Sequence, residues 1–447
     1  MSYKIIDLPA LGRQFNATDI IEVSANGTGS YKANIGNFTL GGTNYIFVNA
    51  NGTPAQNGAA VKTAYTAAIA MTPNGVAKSA TNRVVILLAP GYYTFNEAVD
   101  NQFIVNQNFI DFESLSGEID VYFSSIEVRS PGGGINVRLS GIDTTKNNYY
   151  SHAAFAVSTQ GGGSENIIIK NCVGGDYSFS SYSISFVGLY ENCTARDYSF
   201  GSTGLGLVPP LGIYGIGGAF DFSNYGTFKN CTARDYSFCT TLSSIGGNTS
   251  NQGTIEECTA RSYSFCYGIA QNNIYNMGTI TRCIVTASPG YSFCCINSGT
   301  TGNQTANYGV ISNCSSGNTS FCSNTGTWGS SSAAMNFGTI IECSANGNLS
   351  FCASNNSTPG LSQGENWGLI SNCNAWNGAN CFTGNNGAQA GIITDCIADN
   401  NSFCCNAASS IDWDIYRCTM INDTFTVGAT GGGRVVLGID TTGVVNY

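Results

Sequence analysis

The chain has 447 residues, of which only 10% are charged, and its formal net charge is −10. Charged residues make up roughly 25% of ordinary soluble domains, so Asn, Ser, Thr and the 56 glycines must cover much of this surface. Without basic clusters a nucleic-acid partner is excluded, and without a long apolar run membrane insertion is not predicted. The Gly-rich but 42% hydrophobic composition favours an all-β protein with many turns.

The first 48 residues differ from the rest of the chain. They mix short strand-like runs with glycine turns, and the opening MSYKIIDLPALGRQF lacks the charged-then-apolar pattern of a secretion signal. We predict a small N-terminal attachment module over residues 1–48, in a chain that folds in a cytoplasm.

Residues 49–165 predict the beginning of a solenoid. The stretch NGAAVKTAYTAAIAM (57–71) is Ala-rich and favours a helix, and NRVVILLAPGYYTF (82–95) predicts a buried strand followed by a turn. A helix over the first coil would protect an otherwise open sheet edge. The alternating apolar and polar residues that follow predict irregular first coils, so 49–165 is interpreted as the cap and the early rod.

Ten copies of one sequence unit occupy residues 166–425. The consensus is G-T-I-x-N-C-x-A-x-x-x-S-F-C, and successive copies are 21 to 38 residues apart. Self-similarity at such a period predicts a solenoid, and the shortest units are too small for a propeller blade of roughly 40 residues. The cysteines that define the frame are Cys172, Cys193, Cys231, Cys258, Cys283, Cys314, Cys343, Cys373, Cys396 and Cys418.

The I-x-N-C segment predicts a corner in each unit. Side chains alternate along a strand, so Ile169 and Cys172 both face inward only if the chain bends between them. Asn tolerates the left-handed conformation that a sharp bend requires. We predict inward columns of Ile, Cys and Phe, reduced and buried thiols, and Asn side chains that bond to one another along the rod.

The predicted fold class is therefore all-β: a right-handed single-stranded parallel β-helix with a small N-terminal module and a capping helix. The tail, 426–447, offers two more strands as a cap or an oligomer contact. The cysteines lack paired short spacings and His152 is the only histidine, so no metal or other cofactor is predicted.

Two segments resemble known families. The VVILLAPGYYTF stretch after an Ala-rich helix, followed by I-x-N-C coils, resembles the pectate-lyase-like right-handed parallel β-helix superfamily. The opening DLPALGRQFNATDIIEVSANGTGSYK resembles the N-terminal modules of bacteriophage tail-fibre or appendage proteins. These resemblances imply homotrimeric fibres or spikes attached to the virion through the N-terminus, some of which bind or cleave host polysaccharide.

The repeated hexapeptide ARDYSF suggests the candidate catalytic residues. In stacked coils Asp176, Asp197 and Asp235 would form one column and arginines the adjacent one. A pair of carboxylates could hydrolyse a glycosidic bond. The alternative, which we favour, is a mixed Arg/Asp ladder on a solvated face.

Aromatic residues between the coils are the candidate glycan-binding residues, because aromatic faces suit the apolar faces of sugar rings, although core filling or loop anchoring fits them equally well. They are Tyr214, Tyr275, Tyr308, Trp328, Trp367 and Trp376.

The leading hypothesis is a structural virion component, a phage tail fibre or appendage whose rod carries loops for host-surface recognition. Its partners would be two further copies of itself, other virion proteins and host polysaccharide. The alternatives are a tailspike-type depolymerase, acting as glycoside hydrolase or polysaccharide lyase, and a bacterial surface adhesin.

Overall fold

The structure is a computed structural model. It describes residues 20–25, 29–34, 44–95, 103–130, 134–145, 155–159, 166–176, 178–181, 185–197, 199–200, 222–240, 249–269, 273–287, 291–297, 304–317, 320–322, 332–347, 351, 362–376, 391–399, 414–421, 434–440 and 443–445.

Near the N-terminus, Ile20–Ala25 and Gly29–Asn34 pair as an antiparallel hairpin. This hairpin is a two-stranded sheet of its own. It falls within the segment 1–48, whose remaining residues before position 44 lie outside the described part of the chain.

The one α-helix in the described part of the chain, Pro54–Ala70, covers the first coil and is followed by a short 3-10 helix, Pro73–Gly75. Thr53 and Gln56 form a capping box at the N-terminus of the α-helix. At its C-terminus the ammonium group of Lys78 donates hydrogen bonds to the carbonyl oxygens of Ala68, Ile69 and Met71. The predicted capping helix is thus present and its terminal groups are satisfied.

One sheet, called the main sheet, runs the length of the rod and contains fifteen strands, all parallel. At about 4.8 Å per strand it spans roughly 65–70 Å. Its strands are Tyr45–Val48, Val84–Leu88, Ile110–Ser114, Asn136–Ser140, Asn166–Lys170, Gly188–Glu191, Thr227–Lys229, Thr254–Glu256, Thr279–Thr281, Val310–Ser312, Thr339–Ile341, Leu369–Ser371, Ile392–Thr394, Asp414–Tyr416 and Arg434–Val436.

A second face of the rod, called the side sheet, follows the corner of each coil. Between Ile142–Asp143 and Thr259–Ala260 it narrows to single bridges at Val173, Thr194 and Thr232. Its strands are Gly91–Tyr93, Val121–Phe123, Ile142–Asp143, Thr259–Ala260, Ile284–Val285, Ser315–Ser316, Ser344–Asn346, Asn374–Trp376, Ile397–Asp399, Thr419–Ile421, Gly438–Asp440 and Gly443–Val445. The last two strands form an antiparallel hairpin.

The third face, called the return sheet, leads back to the main sheet. It consists of Ser185–Phe186, Phe222–Asn224, Thr249–Asn251, Ile274–Asn276, Gln304–Asn307, Ser332–Asn336 and Ser362–Asn366. In the early coils a four-stranded sheet precedes it, made of Phe103–Val105, Ile126–Ser130, Phe155–Thr159 and Ser180–Ser181. Two further strands, Gly268–Ile269 and Ile296–Asn297, pair with each other.

The interior is one continuous apolar cluster, from Val48 near the cap to Val435 in the last coil. The ten predicted repeats supply ten consecutive strands of the main sheet, and Ile255, for example, pairs in register with Ile280. The fifteen cysteines in the described part of the chain are buried and free. The predicted parallel β-helix, with its columns of Ile, Cys and Phe, is confirmed.

The thiols of the first cysteine column bond to the backbone. Each Sγ donates to the carbonyl oxygen two residues earlier, at 3.1–3.4 Å. Burial raises the pKa of Cys172 and Cys193 well above the usual range for a thiol. Because the thiolate is the reactive form, Cys172 and Cys193 act as small hydrophobic residues.

The corner between the main and side sheets is left-handed in every repeat. The ten residues immediately before the cysteines have φ between 49° and 57°. Asn171, Asn192 and Asn230 confirm the predicted ladder, since the amide of Asn192 donates to Asn171 at 3.2 Å and that of Asn230 to Asn192 at 2.7 Å. The other corners are Glu257, Arg282, Asn313, Glu342, Asn372, Asp395 and Arg417.

A second asparagine ladder, inside the rod, was not predicted. In this buried ladder each side-chain Nδ2 donates to the Oδ1 of the next coil at 2.7–2.8 Å, and every member is at most 1% exposed. Its six members are Asn224, Asn251, Asn276, Asn307, Asn336 and Asn366. Because a buried amide without partners is costly, the ladder also holds the coils in register.

The glycine two residues after each of these asparagines lies against the glycine of the previous coil. A Cβ atom built on Gly309 would overlap the carbonyl oxygen of Gly278, and the same holds along the column from Gly253 to Gly368. The glycine of the G-T-I motif is therefore required by the close approach of two backbones.

The phenylalanine column turns the chain between the side and return sheets. Seven phenylalanines from Phe179 to Phe351 have φ of 52–60°, which is unusual for a bulky residue. Their rings stack at 4.8–5.0 Å along the rod. Backbone hydrogen bonds hold this turn, as when the N–H of Phe265 donates to Ser237 at 3.1 Å. Ring stacking and these backbone hydrogen bonds together compensate for the strained conformation of the phenylalanines.

Candidate functional site

The three candidate carboxylates do lie on successive coils. The Oδ1 of Asp176 accepts a hydrogen bond from the backbone N–H of Asp197 at 3.2 Å, and the Oδ1 of Asp197 accepts from the N–H of Asp235 at 3.1 Å. The Oδ1 of Asp235 accepts from the hydroxyl of Ser262 at 2.6 Å. Each carboxylate thus holds the next coil of the chain in place.

Arginines from the following coil lie beside two of these carboxylates. Arg234 lies 3.6 Å from Asp197 and Arg261 lies 3.8 Å from Asp235. Both arginine side chains are more than half exposed. This arrangement matches the Arg/Asp ladder expected on a solvated face.

The other residues of the hexapeptide, seen in the copy at 233–238, pack and hydrogen-bond inside the rod. Ala233 faces the core and Phe238 joins the phenylalanine stack. The hydroxyl of Ser237, fully buried between them, donates to the carbonyl of Asp235 at 3.1 Å. The motif therefore recurs because each position serves the stacking of coils.

The tyrosines of this motif form a satellite cluster outside the main core. The ring of Tyr236 stacks on that of Tyr263 at 4.7 Å, and Tyr267 and Cys295 are fully buried beside them. Tyr291 lies 5.7 Å from Tyr267. Burial raises the pKa of Tyr263, with Tyr291 and Asp235 adding to the effect. This cluster packs the outer wall of the turn.

An exposed row at the corner between the return and main sheets, here called the aromatic stripe, is the most distinctive surface. Its members lie between the buried asparagine and the glycine of successive N-x-G segments, and they are Tyr225, Gln252, Met277, Tyr308, Phe337 and Trp367. Tyr225 is 49% exposed, Met277 46%, Tyr308 50%, Phe337 39% and Trp367 40%. The six residues extend over roughly 24 Å of the rod.

The rings of the aromatic stripe cover one another. Tyr308 and Phe337 stack with centroids 4.9 Å apart and planes 4° apart, and Phe337 and Trp367 follow at 6.3 Å and 15°. At the other end the amide of Gln252 donates to the hydroxyl of Tyr225 at 2.9 Å. A sugar ring needs a free aromatic face, so Tyr308 and Phe337 present mainly edges to a partner.

Two other predicted aromatic candidates lie at different places. Tyr275 is half-buried in the return sheet, with its ring 6.1 Å from that of Tyr308, and burial raises its pKa. Trp376 is 39% exposed on the side sheet. The remaining candidates, Tyr214 and Trp328, lie outside the described residues, as does His152.

The sequence prediction missed Tyr225, Met277 and Phe337. Their common signal is position within N-x-G, which repeats in six successive coils. Because the middle residue changes in type from coil to coil, the column is visible only after the flanking Asn and Gly have been aligned.

Within the described ranges, no group of three or more His, Cys, Asp or Glu side chains could hold a metal ion. No helix among those residues is both long and apolar enough to span a bilayer. Comparison of the chain with protein-family models, curated proteins and solved structures found no match.

Proposed function

We propose that this chain is a structural component of a virion, a phage tail fibre or similar appendage. The observation that supports it best is the uninterrupted register of the rod, in which fifteen parallel strands are backed by a buried asparagine ladder and a phenylalanine stack. A body in which every coil bonds to both neighbours resists bending and suits a spacer between a particle and a surface.

In this proposal the N-terminal segment attaches to other virion proteins, in keeping with its resemblance to appendage modules. The stretches of sequence between the described strands of successive coils vary in length while the main sheet stays in register, as between Phe200 and Phe222. Segments of variable length on a rigid scaffold are suited to recognition. Host-surface glycans are the proposed ligands, with Trp376, Tyr214 and Trp328 as the aromatic candidates outside the aromatic stripe.

Cleavage of polysaccharide by Asp176, Asp197 and Asp235 receives no support from their geometry, because they act as acceptors for the adjacent coil. Two of the three also lie beside arginines of the following coil. We therefore propose binding without cleavage.

Localisation in purified particles tests this function. Gold-labelled antibodies against the chain should mark thin appendages at the edge of the virion, with no label on particles that lack the chain. Label confined to a bacterial cell envelope would contradict the proposal and favour a surface adhesin.

A further inference from the structure

We propose that the aromatic stripe is the surface through which copies of this chain associate side by side. The inference rests on the proposed role of this chain as a virion fibre, and it names the residues through which copies of the chain associate. It depends on the direction, area, charge and ring geometry of the stripe.

The direction of the stripe fits association along the rod. Its residues occupy the same position in six successive coils, so the row runs parallel to the long axis. A neighbouring rod lying alongside would cover the whole row at once.

A flanking row on the main sheet widens this surface. Two residues beyond each stripe member, the outward positions of the main-sheet strands pair from coil to coil. These six are Thr227, Thr254, Thr279, Val310, Thr339 and Leu369, and Ile392 in the next strand continues the row. Val310 is 38% and Ile392 45% exposed. The apolar surface therefore continues from the corner onto the flat sheet.

The exposed area is close to what an interface needs. With roughly 200 Å² per aromatic side chain, the four exposed rings present about 350 Å², to which Met277, Val310 and Ile392 add. A standard interface covers about 800 Å² per partner, somewhat more than half of it apolar. An apolar patch of this size on a monomer commonly marks an interaction site.

The charge distribution favours a second copy as the occupant. The whole chain carries −10, so two copies repel each other over most approaches. Neither the aromatic stripe nor the flanking row contains a charged residue. In contrast, Glu256 at the far end of its main-sheet strand joins Glu257 and Arg282, at the corner with the side sheet, in one network.

The ring geometry also favours protein over carbohydrate. Phe337 lies between Tyr308 and Trp367 at 4.9 and 6.3 Å, so both of its faces are covered, and Tyr308 has one face against Phe337. The exposed edges of these rings must pack against something other than a sugar face. The exposed ring edges of the stripe, together with the aliphatic side chains beside them, are suited to pack against the apolar surface of an identical chain. Three copies arranged about an axis parallel to the rod would bring three stripes together.

Two tryptophans give a matched test. Trp367 in the stripe and Trp376 on the side sheet are 40% and 39% exposed. Sedimentation velocity on the full chain, over a wide concentration range, should show an oligomer for the wild type. Trp367→Asp should raise the dissociation constant about 30-fold or more, as expected for a large aromatic anchor, whereas Trp376→Asp should leave it unchanged. Val310→Glu, in the flanking row, provides a second variant of the same surface should Trp367→Asp fail to fold, as judged by circular dichroism.

Three results would overturn the inference. The first is a wild type that is monomeric at every concentration and binds host cells equally well with and without the Trp367→Asp change, and the second is equal weakening of the association by both tryptophan variants. The third is a monomeric wild type whose binding to host cells is abolished by Trp367→Asp. The third would assign the stripe to a glycan. Each leaves the proposed function separately testable, because labelling of particles reports where the chain is and sedimentation reports only its association.

Discussion

Asn276 and Asn307 lie on successive coils inside the rod, and the Nδ2 of Asn276 donates a 2.7 Å hydrogen bond to the Oδ1 of Asn307. Both side chains are fully buried. An amide is both donor and acceptor, so a column of asparagines can continue through any number of coils without leaving a polar group unpaired.

Replacing one member of the buried ladder by a carboxylate should destabilise the rod. In Asn307→Asp the donor to Asn336 is lost and a carboxyl group is buried, which we expect to cost about 3 kcal/mol or more. Asn313→Asp, at an exposed corner of the same coil, should have little effect because Asp also tolerates the left-handed conformation. Urea unfolding of both variants measures the difference, and equal midpoints would contradict the ladder.

The glycine column predicts a backbone clash. Gly309→Ala places a methyl group against the carbonyl of Gly278 and should cost about 3 kcal/mol or more. Gly175→Ala is the control, since a Cβ there meets nothing within 4 Å. Thermal unfolding compares the two; a Gly309→Ala protein as stable as wild type would show that the coils are further apart than described.

The phenylalanine stack predicts a large effect of core truncation. Phe265 lies between Phe238 and Phe293 at 4.9 Å on both sides. We expect Phe265→Ala to lose about 3–5 kcal/mol, whereas Phe47→Ala, at a site 49% exposed, should lose less than about 1 kcal/mol. Chemical denaturation measures both. A negligible loss at position 265 would place the column outside the core.

The Arg/Asp ladder predicts a mild effect of neutralising Asp197. In Asp197→Asn the amide oxygen can still accept the N–H of Asp235, and only the largely exposed contact with Arg234 is weakened. Stability should change by less than about 1 kcal/mol. Release of reducing sugars from host capsule should be undetectable with both wild type and variant. Release by the wild type that the variant abolishes would make Asp197 catalytic.

Much of the fold was predictable because the frame depends on a few strict requirements. Ile169 and Cys172 can share the core only through a corner, and the corner is left-handed as predicted. Asn tolerates this conformation, and Glu257 and Arg282 adopt it as well. In those coils the hydrogen bonds of the neighbouring strands hold the backbone, so the side chain is less restricted.

The features that were missed have physical reasons as well. No sequence rule places Phe265 in the left-handed region, because the local preference of a bulky residue opposes it and only stacking in the finished rod compensates. The aromatic stripe was not predicted because Tyr308, Phe337 and Met277 occupy equivalent positions in their coils but differ in side-chain chemistry. Alignment on Asn276 and Gly278 would have revealed it.

The central claim is that cysteines of ten successive coils lie together inside one closed core, and alkylation kinetics tests it most directly. The native chain would be treated with iodoacetamide and each cysteine-containing peptide quantified by mass spectrometry. We predict that Cys172, Cys258 and Cys373, near the start, middle and far end of the column, are all protected and become reactive together with the other cysteines only in denaturant. Rapid labelling of any of them in the native chain would contradict the single closed core.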